Sequence, residues 1–122
     1  MPIPLMKYDE VSDTLYISFA PGEKGTGLEL NENLLLRVNK AEQRAVGLSI
    51  FNYSFLAQPT EAGLRSIPLT GLNVLSAELR TLALDILRRS PVKDLLAVSA
   101  YTPSLRESIP IASVTVDARE TA

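Results

Sequence analysis

Asp9, Glu10 and Asp13 are the residues in this chain most readily imagined doing chemistry. They lie in the stretch K-Y-D-E-V-S-D-T-L-Y-I-S-F, from Lys7 to Phe19. Carboxylates this close can hold a cation, or divide the acid and base roles of a hydrolysis. Their spacing is not the alternating oxygen-ligand loop of an EF-hand. Asp and Ser side chains also bond backbone N–H groups two residues on, so the same cluster reads more readily as a turn with solvated charge. Asp9 and Asp13 are therefore the candidate carboxylates of one reading, a small hydrolase or ligand-binding protein. Glu29 and Glu32 could join them, but a sheet this small offers little room for a deep cleft.

The rest of the inventory narrows the chemistry. The 122 residues contain no histidine and no cysteine. This removes the usual general base near neutral pH, the thiol nucleophile, disulfides and the usual zinc ligands. No G-x-S-x-G elbow is present, so the frequent serines lack an activating partner. Tyr8, Tyr16, Tyr53 and Tyr101 need strong perturbation before they serve as acids or bases, and they read better as packed aromatics with wet hydroxyls. G-E-K-G-T-G over 22–27 lacks the phosphate-loop spacing and precedes no helical pattern, so it reads as a loop. No metal and no cofactor is expected.

Charge excludes further classes. Residues 1–58 carry five basic and seven acidic side chains, and residues 59–122 carry seven of each. Without a basic stripe there is no electrostatic footprint for direct nucleic-acid binding. The opening residues M-P-I-P-L-M-K-Y-D-E lack the charged and apolar regions of a signal peptide, and no apolar run reaches membrane-spanning length. A cytoplasmic protein forming one domain over residues 1–122 is the expectation.

The elements that must position these residues follow from periodicity. Met6 and Tyr8 alternate with Lys7 and Asp9, and Leu15, Ile17 and Phe19 alternate with Tyr16 and Ser18. Two strands across an acidic turn account for both patterns. Residues 28–31, 34–38 and 46–50 add three more short strands, giving a locally connected, antiparallel β-meander over 6–54. One face collects Leu15, Ile17, Phe19, Leu34, Leu36, Val38, Val46, Leu48 and Ile50. The other is mixed but holds Tyr16, Leu35, Phe51 and Tyr53, which are the candidate interaction residues. A sheet standing alone needs one apolar face, so the second implies cover by the C-terminal half or by another subunit.

The pattern Y-D-x3-D-x-L-Y-I-x-F, a Pro-Gly loop, and then V-G-x-x-I-x-x-x-S resembles a short bacterial family, domain of unknown function 2283. The matching residues are Tyr8, Asp9, Asp13, Leu15, Tyr16, Ile17, Phe19, Val46, Gly47, Ile50 and Ser54, within residues 6–54. The resemblance implies a fold segment and no established activity. Some members neighbour genes for small RNase-like toxins, so it opens an antitoxin-like role with a small toxin-like protein as partner. Leu36-Arg37-Val38-Asn39 stands where L-D-Y-D is usual, and Gly47-Leu48-Ser49-Ile50 stands where G-I-E-I is usual. Three typical carboxylates are thus missing.

Residues 55–72 read as a linker with one helical turn near Glu61–Arg65. Residues 73–118 read as a helix plus a hairpin. Asn73 is placed to cap the helix and Pro91 to end it, with Val74, Leu75, Leu79, Leu82, Ala83, Ile86 and Leu87 on one face. Asp85 can pair with Arg88 or Arg89, and both arginines suit the helix dipole. Leu95–Tyr101 and Ile109–Val116 form the closing strands, with Pro110 on an edge. Asp117–Ala122 is a polar end. The chain therefore reads as an α+β domain: a largely antiparallel sheet, one long helix and a C-terminal β-hairpin. The leading functional reading is a non-enzymatic protein-interaction module that forms a homodimer.

Overall fold

The computed structural model of the protein describes residues 4–117. Most of the polar end expected from Asp117 onward lies outside the described residues.

The architecture is α+β. Strands β1 (Leu5–Asp9), β2 (Thr14–Ser18), β3 (Thr26–Glu29), β4 (Leu34–Asn39) and β5 (Arg44–Phe51) form one antiparallel sheet. Their order is β1-β2-β5-β4-β3. The loop after β2 therefore carries the chain to the far edge, and β5 returns to close the gap beside β2. Helix α1 (Tyr53–Ala57), strand β6 (Ile67–Pro68), a 3-10 turn (Thr70–Asn73), helix α2 (Ala77–Leu87), a second 3-10 turn (Val92–Asp94) and strands β7 (Leu96–Ser104) and β8 (Glu107–Val114) complete the chain. The last strands form a second sheet in the order β6-β8-β7.

Alternation along β2, β4 and β5 places Leu15, Ile17, Leu34, Leu36, Leu48 and Ile50 on one face, all essentially without solvent contact. Leu69, Leu72, Ala83, Ile86, Leu87, Val92, Leu96, Ala112 and Val114 from the C-terminal half close over them. The second half thus covers the first face of the sheet.

The structure corrects several sequence expectations. Register shifts between Arg37 and Val38, so that Val38 faces Ala45. The extra residue in β5 is a β-bulge, and Ala45 rather than Val46 joins the central core. Helix α2 begins after Ser76, whose Oγ accepts from the Leu79 N–H at 3.2 Å. Asn73 instead ends a 3-10 turn, and Val74 is 87 % exposed. The helical turn expected near Glu61–Arg65 is absent. α1 precedes it, and Thr60 and Gly63 close a tight turn instead. Asp85 makes no ion pair with Arg88 or Arg89 among the described residues. Arg89 donates from Nε to the Asp85 carbonyl and from Nη2 to the Gln43 carbonyl. Pro110 lies on the central strand of the small sheet rather than on an edge. It is tolerated because β6 pairs only with Ile111 and Ala112, and the Pro110 carbonyl still accepts from the Leu69 N–H.

Candidate functional site

The turn between β1 and β2 gathers the carboxylates singled out above. Asp9 closes the turn on itself: its Oδ1 accepts from the Val11 N–H at 3.1 Å and its Oδ2 from the Ser12 hydroxyl at 2.9 Å. These bonds, the Ser12 hydroxyl first, hold the Asp9 carboxyl below its ordinary acidity range.

Asp13 does something different. Its backbone takes a φ of 52°, a left-handed conformation that Asp and Asn tolerate better than most residues. Its side chain is thereby directed across the sheet end to α1. Oδ1 accepts from the Tyr8 hydroxyl at 2.6 Å and from the Ser54 N–H at 3.0 Å. Oδ2 accepts from the Ser54 hydroxyl at 2.7 Å, and the Asp13 carbonyl accepts from the Tyr53 N–H at 2.9 Å. Asn52, also left-handed at φ 59°, makes the reversal that brings Tyr53 and Ser54 there. Asp13 is accordingly held acidic, by Tyr8 first and Ser54 second. The same bond pushes the Tyr8 phenol from 10.0 up to about 12.

Tyr8, Asp13 and Ser54 are thus one hydrogen-bonded unit. The sequence pattern contains all three, but the chain separates Asp13 from Ser54 by 41 residues, and only the pairing of β2 with β5 joins them. Beside the unit lies an open groove of about 570 Å³, with Tyr8, Tyr53, Leu64, Val114 and Val116 among its walls. Two of the polar groups facing it, the Tyr8 and Ser54 hydroxyls, are committed as donors to Asp13. Glu10 stays in the solvated turn. Among the described residues, no three or more of the acidic side chains gather as a metal cluster would require. The unit's evident work is to fasten the first hairpin to α1.

The candidate interaction residues separate into two groups. Tyr53 is buried, its ring edge-on to Tyr8 at 5.7 Å between centroids, and its hydroxyl donates to the Val116 carbonyl at 2.9 Å. It belongs to the core side, because the reversal at Asn52 turns it away from the face that Phe51 occupies. Tyr16, Leu35 and Phe51 do share the outer face. Strand pairing sets Lys7, Tyr16, Ser49, Leu35 and Glu29 side by side across all five strands. Tyr16 is 41 % exposed. Leu35 and Phe51 are half-buried, while Lys7 and Glu29 at the two ends are exposed.

One further residue on this face is not among the candidate interaction residues. Arg37 lies in the adjacent row, opposite Gly47 on β5 and Gly27 on β3. Its guanidinium rests over Gly47: a Cβ built on Gly47 would stand 2.5 Å from Arg37 Nη2 and 2.9 Å from the Ile17 carbonyl oxygen. The Arg37 Nε is buried and has no hydrogen-bond partner among the described residues. The glycine in V-G points to this close approach, since a floor without a side chain is what a flat-lying guanidinium needs.

Residues 5–54 match the model of the family described as "Protein of unknown function (DUF2283)". The matched segment is the five-stranded sheet together with the first residues of α1. No curated protein and no solved structure matches the chain.

Proposed function

We propose that this chain is a non-enzymatic protein-interaction module that works as a homodimer and offers the outer face of its five-stranded sheet to a partner polypeptide. The observation that carries the reading is the row from Lys7 through Tyr16, Ser49 and Leu35 to Glu29, bordered by Phe51 and Arg37. An exposed aromatic and a half-buried leucine flank a buried serine there, and a guanidinium with an unmet donor lies alongside. Aromatic and arginine side chains are the usual anchors of protein interfaces. The Arg37 donors favour a partner that places a carboxylate or carbonyl over Gly47. A small toxin-like protein is the partner class that the family resemblance brings to this reading.

The carboxylate reading has less support. The oxygens of Asp9 and Asp13 already accept hydrogen bonds that hold the turn and α1 in place. Both groups are held ionised well below neutral pH, which suits an acceptor and not a proton donor.

The experiment is affinity capture from the source organism with wild-type chain and with Tyr16→Glu and Leu35→Glu variants of unchanged melting temperature. A polypeptide retained by the wild type and lost by both variants supports the outer face. Retention by all three overturns it. A thermal shift with a divalent cation or a small ligand that disappears in the Asp9→Asn, Asp13→Asn double variant establishes the rival reading instead.

A further inference from the structure

We propose that two copies of this chain pair through the free edge of β7, antiparallel about a two-fold axis at Ser99. The inference rests on the homodimer reading above and assigns that dimer a surface distinct from the partner-binding face.

β7 ends the small sheet: among the described residues its one neighbour is β8, so alternate backbone N–H and C=O groups along its other edge point away from the sheet. Proteins ordinarily blunt such an edge with charge, proline, a bulge or a very short strand. β7 runs nine residues, L-A-V-S-A-Y-T-P-S from Leu96 to Ser104, without a charged side chain, and its proline and its register slip against β8 both lie beyond Tyr101. Its distal half, from Ser99 to Ser104, is exposed throughout and pairs only with β8. A two-stranded ribbon is marginal in water, and this one gains a third strand if a second copy joins.

The strand itself sets the register. Leu96 opens it but is buried, and the register against β8 slips between Tyr101 and Ser104, where Pro103 also has no N–H to give to a new partner. The stretch able to pair therefore runs from Ala97 to Tyr101, and its middle is Ser99. An antiparallel pair centred there sets Ala97 against Tyr101 of the partner subunit and Val98 against its Ala100. The small Ala97 makes room for the large ring beside it, so the edge fits its own copy. Val98 already packs on the core, which leaves Ala97, Ser99 and Tyr101 on the open side of the ribbon. Pairing produces a continuous six-stranded sheet, β6-β8-β7 joined to its two-fold mate.

The absence of cysteine makes the test clean, because Ser99→Cys introduces the sole thiol. The axis places the two Ser99 Cα atoms about 4.5–5.5 Å apart, inside the span a disulfide bridges. Sedimentation velocity measures the dimer of the full chain, and mild oxidation followed by non-reducing electrophoresis measures the cross-link. The expected result is a wild-type dimer, rapid covalent dimerisation of Ser99→Cys, and none for Tyr16→Cys on the outer face. Ser99→Lys opposes two ammonium groups across the axis and raises the dimer dissociation constant by roughly tenfold or more. A dimer in which Tyr16→Cys cross-links, Ser99→Cys does not, and Ser99→Lys has no effect overturns the β7 pairing and leaves the homodimer reading standing. A chain that sediments as a monomer up to millimolar concentration overturns both.

Discussion

The Tyr8 hydroxyl donates to Asp13 Oδ1 across 2.6 Å, and that one bond moves both groups in opposite directions on the pH scale. Asp13, lowered in the fold, contributes stability that is present above its unfolded pKa and lost as pH falls through the folded value. Tyr8, raised to about 12, contributes stability that is complete below pH 10.0 and lost as pH rises through about 12. The melting temperature should therefore hold a plateau between roughly pH 5 and pH 9 and fall on both sides. Tyr8→Phe should flatten the alkaline limb. Asp13→Asn should soften the acid limb without abolishing it, because Asp9 and Glu23 are lowered too, Glu23 by Arg44. Melting curves from pH 2 to 12 check the assignment.

Asp13→Ala should lower the melting temperature more than Asp13→Asn. Both remove the carboxylate, but the native φ of 52° suits asparagine and strains alanine. Differential scanning calorimetry of the two variants at pH 7 measures the difference, and equal melting temperatures would refute the conformational part.

Gly47→Ala should destabilise the fold by about 1–3 kcal/mol. The new methyl meets Arg37 Nη2 and the Ile17 carbonyl oxygen, and only the first of these can swing aside. Adding Arg37→Ala should recover part of the loss and no more. Urea unfolding of the single and double variants reads this directly.

Ser76→Ala should cost about 1 kcal/mol, the usual value of a helix N-cap. Asn73→Ala should cost little, since its side chain caps nothing in the fold. Chemical denaturation of the two variants distinguishes the true start of α2 from the one the sequence suggests.

Leu36→Ala should cost roughly 2–5 kcal/mol, as removal of a fully enclosed leucine does. Leu35→Ala, one residue away on the outer face, should cost far less. Urea titration of the pair checks that the two faces of β4 are unequal.

Much of this fold was legible because strand patterning is local. Leu15 and Ile17, or Leu34 and Leu36, announce their shared face through alternation alone. The bulge at Val46 was not legible, since one extra residue resets the alternation without changing any residue type. Asn73 and Ser76 are equally good caps by composition, and a 3-10 turn that the periodicity of Val74 and Leu75 conceals decided between them. Y-S-F-L-A gave no helix signal: it is short, aromatic, and begins at a left-handed Asn52 with no side-chain cap. The motif residues Tyr8, Asp13 and Ser54 were visible individually. Their meeting was not, because it depends on β5 returning beside β2. Tyr53 lies on the core side for a related reason: the strand count, continued past Phe51, ignores the reversal at Asn52.

The bond from the Tyr53 hydroxyl to the Val116 carbonyl has a consequence for how the chain can be cut. The segment that matches the family ends at Ser54, yet its last aromatic ring is latched to a point 63 residues downstream. The leucine-rich side of the five strands is roofed by sequence outside the match. The recognisable segment therefore shares its core with residues beyond the match. A fragment ending near Ser54 would present a bare hydrophobic slab to water and clump, whereas the intact chain should melt in a single step.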